Sequence, residues 1–435
     1  MTSLLIAPLL LGVVPLFGAT VGLALWSKPH ALKVWVLLVT MFTLGTIGWT
    51  SGSLPPQAAA LPLLALLPLT AFLSLLGQPA HRSSGAAWLL TLLLLGLALG
   101  VLASEAFWSR IFFLLLLALV GVMLSFYRHS TGFEAWSGIG TVGLGVLMIG
   151  IALIAAPSIS SAAFALACAL ALPLPPLHKG YLATLTLLPG NLPAFLALLL
   201  PVIGFHGFLT VLPLLPIDLF QAVGIVALAG SLYASLRALT QSRATSVVAY
   251  GTVAFLSMLW WYLAQTRTAP PQAVVYLSAV GLATSGLLLA FYVLRARYGE
   301  IGLRGLSGLA RPMPRFAIVL SLLALATLGL PPFGVFAGFF GMLLAPTFTW
   351  SNGLFVIVIA WLAASWYLFD LVQGLLFGRA QTERRHEDLD DHEFAALAII
   401  LVLLTALGVL PSRLFDLGPA NSQRTVVMEF PVWNR

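Results

Sequence analysis

Runs of about twenty apolar residues recur from one end of the chain to the other, and they decide the fold class. A helix needs about 20 such residues to cross the hydrocarbon of a bilayer. A spanning barrel would instead show short segments of alternating polarity. The runs here are apolar on every face. Windows fall at 3–26, 32–49, 57–77, 86–103, 106–126, 136–157, 160–176, 189–214, 219–240, 246–265, 272–294, 315–345, 353–378 and 393–412. The chain is therefore expected to be an all-α polytopic membrane protein of about fourteen transmembrane helices. Composition closes off the soluble alternative: 60% of residues are hydrophobic and 8% charged, against about 25% charged in soluble domains.

Charge sorting sets the expected orientation. Loops after odd-numbered windows hold Lys28, Lys33, Arg82, Arg128, Lys179, Arg237, Arg243, Arg295, Arg297, Arg304, Arg311, Arg315, Arg379, Arg384 and Arg385, leaving only five of the 20 Lys and Arg for the other side. Basic loops stay in the cytoplasm. Both termini are then expected outside the inner membrane, with the first window read as a span and not a signal peptide. The net charge of +7 reports these loops and gives no reason to invoke nucleic acid.

Two windows should break. Pro removes a backbone donor and clashes with the preceding turn. Pro173, Pro175 and Pro176 end the seventh window, and Pro331-Pro332 interrupts the twelfth. In lipid the freed backbone groups must be satisfied by protein or water, so broken helices are expected inside the bundle or along a cavity. Broken spans in two separate halves also point to an inverted-repeat transporter.

At these breaks the chain resembles the antiporter-like membrane subunits shared by respiratory complex I, Mrp antiporters and membrane-bound hydrogenases. Leu172 to Leu182 is similar to the family's Lys-x-Pro-x-x-Pro-x-His segment. Ser246 to Thr252 resembles its Arg-Leu-Leu-Ala-Tyr-Ser-Ser, and Gly329 to Gly338 its Gly-Leu-Pro-x-x-x-x-Phe-x-Gly. His386 to Asp416 is similar to its last span. The resemblance covers about residues 100–416. It implies two inverted five-helix repeats, at 86–214 and 219–378, with spans 7 and 12 broken. Residues 1–103 would hold the peripheral spans and the start of the first repeat. Residues 379–435 would hold a charged loop, the last span and an outside tail.

The departures from the family bear on mechanism. Pumping members carry a Glu in span 5, a Lys in each of spans 7 and 8, and a Lys or Glu in span 12. The corresponding positions here fall at Leu116 to Leu119, Ala171, near Pro201, and at Phe339 or Met342. The usual proton path is expected to be modified or lost. The ionisable residues that could serve a modified path are His178, Lys179, His206 and Asp370, since a His in lipid can relay protons. Each also has a structural reading: His206 as a neutral hydrogen-bonded group, Lys179 as an interfacial cation, Asp370 as half of an ion pair.

Arg384, Arg385, Glu387, Asp388, Asp390 and Asp391 lie in a dense mixed-charge run, read as a solvated loop or docking face for a soluble partner and not as a metal site. Cys168 is the only cysteine, which excludes a disulfide framework and a thiolate-built metal or cluster site. No nucleotide-binding loop, His-Glu-x-x-His or Gly-x-Ser-x-Gly is present. No cofactor is expected in this chain, and any enzyme activity would belong to an assembly. The leading expectation is a membrane subunit of an ion-translocating, energy-converting complex, partnered by other subunits and handling protons or Na+. The alternative is the membrane half of a two-component inorganic-carbon uptake system beside a zinc carbonic-anhydrase-like protein. A stand-alone secondary transporter is the third reading, and the sparse intramembrane charge argues against a charged solute.

Overall fold

The computed structural model describes residues 2–50, 60–78, 85–127, 133–299, 306–346, 348–349, 351–378 and 387–410. Among them all regular structure is helical. In chain order the helices are α1 Thr2–Ala24, α2 Pro29–Thr50, α3 Ala60–Leu76, α4 Gly85–Ala103, α5 Ala106–Tyr127, α6 Phe133–Ile154, α7 Pro157–Ala171, α8 Lys179–Leu187, α9 Leu192–Val211, α10 Ile217–Leu239, α11 Ala244–Thr266, α12 Pro271–Tyr298, α13 Pro314–Leu328, α14 Gly334–Leu343, α15 Gly353–Leu376 and α16 Asp391–Val409. Each of the fourteen expected windows holds a helix. Ten helices are long and apolar enough to cross a membrane alone, and the shorter apolar ones include α7, α13 and α14.

Two boundaries differ from expectation. The twelfth window is two helices, α13 and α14, separated at Gly329, which takes the left-handed conformation (φ 75°) that ends α13. Glycine meets no Cβ penalty there. The seventh segment does not stop at its prolines: α8 follows the break as a second, nine-residue half-helix. Its Gly, Thr and Lys content kept it out of a hydropathy window.

The interior is built on α9, α11 and α12. The apolar stretch of α12 is buried along its whole length, and α11 and α9 are nearly so. A helix that is apolar all round belongs in such a place. α10 lies along α11, α1 on α4, α6 on α7, and α12 against both α9 and α14. A polar knot ties the N-terminal helices to this interior. The buried Gln78 amide accepts from Trp88 Nε1 (2.9 Å) and donates to the Tyr292 hydroxyl (3.1 Å). Lys33 Nζ donates to the Gln78 carbonyl. Asn191 Nδ2 donates to Thr91 Oγ1 at 2.9 Å and to Ser74 Oγ at 3.3 Å. Seven side chains thereby join α2, α3, α4, α12 and the start of α9 at one end of the bundle.

Glycines let neighbouring helices close onto both breaks. A Cβ at Gly204 of α9 would collide with the Leu172 amide nitrogen and the Cys168 carbonyl at the end of α7. One at Gly408 of α16 would collide with the Pro332 carbonyl. The first break is largely enclosed, with Pro173 and Pro175 buried and Pro176 exposed. At the second, Leu330, Pro331 and Pro332 are exposed. α14 rests on α12 and α16, and α13 on α12, α15 and α16.

Gly408→Ala is expected to destabilise the folded protein by about 1–3 kcal/mol, the usual cost of overpacking. Gly150→Ala, where no atom lies within 4 Å of the added carbon, should stay within about 0.5 kcal/mol of the parent. Reversible unfolding in mixed micelles checks both.

Candidate functional site

The two breaks are solved by the same device. α7 ends at Ala171, and Leu172 leaves the helix in an extended conformation (φ −87°, ψ 92°). Pro173 has no N–H, so the chain that follows cannot serve the carbonyl oxygens freed at this turn. Trp260 Nε1, from α11, donates to the Leu172 carbonyl at 3.0 Å. At the second break Trp361 Nε1, from α15, donates to the Leu328 carbonyl at 2.7 Å. Both indoles are wedged by aromatic neighbours: Phe208 lies 4.5 Å from Trp260, and Phe339 lies 4.5 Å from Trp361, centroid to centroid. Each break also contains one cis Pro-Pro bond, Pro175-Pro176 and Pro331-Pro332.

Three of the four positions at which the resemblance implies charge meet around one small void. Leu117, Ala171 and Leu200, the last beside Pro201, line a space of about 10 Å³ with Thr141, Val142 and Tyr181. A single water needs about 10–15 Å³ and two or more polar partners. Both polar groups at the void are already engaged: the Tyr181 hydroxyl donates to the Ala197 carbonyl at 2.9 Å, and Thr141 Oγ1 to the Gly138 carbonyl at 2.8 Å. The fourth position is equally apolar, with Phe339 and Met342 both buried.

The remaining ionisable candidates are scattered. His178 is buried at the first break, directly before α8, with the rings of Tyr233 and Tyr250 at 5.8 and 6.1 Å. Neither ring nitrogen reaches hydrogen-bond geometry with a described residue. Lys179 opens α8 and is exposed. His206 is half-buried on α9, between glycines that abut α7. Asp370 is exposed on α15 and lines a groove between α13 and α15. Among the described residues no hydrogen bond joins His178, His206 and Asp370.

The mixed-charge run is spent largely within the chain. Arg384 and Arg385 lie outside the described residues. Asp388 accepts from the backbone N–H groups of Arg315 (2.7 Å) and Phe316 (3.1 Å), in the first turn of α13. Asp390 and Glu393 form a capping box on α16, the reciprocal arrangement that satisfies orphan helix donors. Glu393 also pairs with Arg297 at 2.6 Å, and Asp391 with Arg315 at 3.0 Å. Trp260 and Trp361 escaped the sequence reading. The available signal was an indole well inside a span, since tryptophans favour membrane interfaces and a buried one needs an acceptor.

A family model described as NADH:quinone oxidoreductase/Mrp antiporter, transmembrane region, matches residues 110–366. Subunit M of the F(420)H(2) dehydrogenase of Methanosarcina mazei is 26% identical over 245 residues, covering 54% of this chain and 48% of that one. Subunit M of the Rhodobacter capsulatus NADH-quinone oxidoreductase is 28% identical over 235 residues, covering 52% and 46%. The aligned part thus spans about half the length of these relatives. In fold the likeness extends further. A chain of respiratory complex I from Thermus thermophilus superposes with a TM-score of 0.80 at 20% identity, over 94% of this chain and 97% of that one. A chain of the Mrp complex from Dietzia sp. gives 0.76 at 16% identity, over 94% and 95%.

Trp260→Phe and Trp361→Phe should each lower unfolding free energy by about 1–3 kcal/mol, because each leaves a carbonyl without its donor. Trp366→Phe, at an exposed indole, should change it by less than about 0.5 kcal/mol. Asp388→Ala should cost about 1 kcal/mol through loss of the α13 cap. Unfolding titrations in micelles read all four.

Proposed function

The chain belongs to the NADH:quinone oxidoreductase/Mrp antiporter membrane family, and from that premise we propose that it is an antiporter-like subunit of a multi-subunit, energy-converting complex whose own proton path is closed. The observation that carries this reading is the void at Leu117, Ala171 and Leu200. Where a relay would need charged side chains and water, this chain has uncharged groups, mostly aliphatic with the Thr141 and Tyr181 hydroxyls, around about 10 Å³. A charge in the membrane interior is costly and is kept only where function requires it, and these positions carry none. The two indole caps support the same reading, since neutral donors hold both breaks without a charge that could exchange a proton.

In this proposal α7 with α8, and α13 with α14, each make one crossing, giving fourteen spans. The repeats are 86–214 and 219–378. The chain sits in the inner membrane with both termini outside and its basic loops in the cytoplasm. Redox or hydratase chemistry, and transport of protons or Na+, belong to the subunits it assembles with. His178, Lys179, His206 and Asp370 are then structural or interfacial groups.

Purification from native membranes in mild detergent should recover the chain with iron–sulfur subunits that react with quinone or hydrogen. Recovery with one large zinc protein instead would assign it to an inorganic-carbon uptake system. In liposomes the chain alone should dissipate an imposed pH gradient no faster than protein-free vesicles. In the intact complex His178→Ala and His206→Ala should leave ion translocation within about twofold of the parent, a change of under about 0.5 kcal/mol. A loss of tenfold or more from either would reopen a path through this chain.

A further inference from the structure

Most of the outward face of the bundle is what lipid covers well: Phe42, Trp49, Phe126 and Ile154 are all exposed and apolar. The face made by α13 and α15 is different in two independent ways. It carries Asp370, an exposed carboxylate. It also borders the second helix break, where Leu330, Pro331 and Pro332 are exposed just beyond Leu328. Between the two helices runs a groove of about 610 Å³, lined by Leu325 and Leu328 of α13 near the break and by Ser321 nearer the start of that helix.

Depth makes the carboxylate informative. α15 has 24 residues and so spans about 36 Å at 1.5 Å per residue, against a hydrocarbon core of about 30 Å. Asp370 lies six residues before the last residue of α15, about 9 Å from its end. If the helix is centred, the carboxylate sits some 6 Å inside the hydrocarbon. Aspartate is too short to reach headgroups as Lys or Arg can. An ionised carboxylate left in lipid there is costly, and such groups pair with a cation or face a protein interior. Unwound backbone is likewise tolerated at membrane depth only where protein or a water-filled cavity covers it.

The groove has the shape of a helix seat. α15 lines it at positions 362, 365, 366, 369, 370 and 373, the i, i+3, i+4, i+7 spacing of one helix face, together with Leu368 and Val372. Its polar members, Ser321, Ser365, Asp370 and Gln373, are residue types that bond across helices in membranes. Two described arginines at the same end are committed within the chain: Arg297 to Glu393 and Arg315 to Asp391.

We propose that the groove between α13 and α15 seats a transmembrane helix of another subunit, and that a Lys or Arg on that helix pairs with Asp370. The inference rests on the reading of this chain as a subunit of a complex, and it names the surface and the chemistry of the contact. The seated helix would cover the exposed break and place its cation against the only carboxylate among the described residues that line the groove.

The test uses the assembled complex in native membranes. A photocrosslinking side chain placed at Leu362 or Trp366 should form adducts with a membrane segment of a co-purifying subunit that contains a Lys or Arg. The same group at Phe126 should crosslink lipid or a different partner. Asp370→Asn should lower recovery of that subunit at least about tenfold, as truncation of one member of a desolvated charge pair does, while Asp370→Glu should retain it. Asp370→Lys should abolish recovery, and reversing the mapped partner cation to Asp should restore it. Adducts to lipid alone, to a segment without a basic residue, or to a second copy of this chain would overturn the proposal. So would undiminished recovery with Asp370→Asn. If the complex purifies intact but the groove crosslinks only lipid, this proposal alone fails. If the chain purifies alone, the subunit reading fails and this proposal falls with it.

Discussion

Nothing in this chain escapes the rule that backbone polar groups in hydrocarbon must find partners within the protein. Unbroken helices meet it automatically. The two broken ones cannot, because Pro173 and Pro331-Pro332 stop the helical ladder partway through the bundle. The chain answers with a neutral donor brought from a distant helix: 88 residues separate Trp260 from Leu172, and 33 separate Trp361 from Leu328. Each indole also fills volume, so one side chain both satisfies a carbonyl and packs the gap left by the missing turn. Gly204 and Gly408 complete the arrangement by letting a neighbouring backbone close onto each break. Both breaks are thereby held by uncharged donors.

Uncharged breaks and a charged family fold are compatible because fold and chemistry are carried by different residues. The chain superposes over nearly its whole length on a complex I chain at 20% identity. What such likeness preserves is helix order, the two breaks and close helix contact. What a relay needs is a handful of ionisable side chains, and these positions hold Leu, Ala, Phe and Met. Replacing charge by aliphatic side chains at buried sites often leaves stability unchanged or raised, so a member could lose its relay without losing its shape.

The fold was legible because its determinants are local and repeated. Apolar runs of helical length located a helix in each of fourteen windows, and Pro-rich interruptions located both breaks within a few residues. α8 was hidden because Lys179, Gly180 and three threonine or tyrosine side chains dilute its hydropathy, although its neighbours bury it. The site was less legible because it depends on pairing across the sequence. Asp388 reads as one acid among many in a loop, yet its oxygens cap a helix that begins 74 residues earlier at Pro314. Trp260 reads as an aromatic residue among other aromatics until Leu172 is placed beside it. Asp370 was visible as an anomaly from composition alone, but only its position on an outward groove gave the anomaly a direction.

The knot around Gln78 sets a clock on assembly. Its amide meets the Tyr292 hydroxyl across 214 residues of sequence, so the contact cannot form until α12 has been synthesised. At about 5–20 residues per second the wait is roughly 10–40 s. During that interval the Gln78 amide can hold Trp88 and the Gln78 carbonyl can hold Lys33, but the Tyr292 hydroxyl is missing. The bond that ties the N-terminal helices to α12 therefore closes only when the middle of the chain arrives.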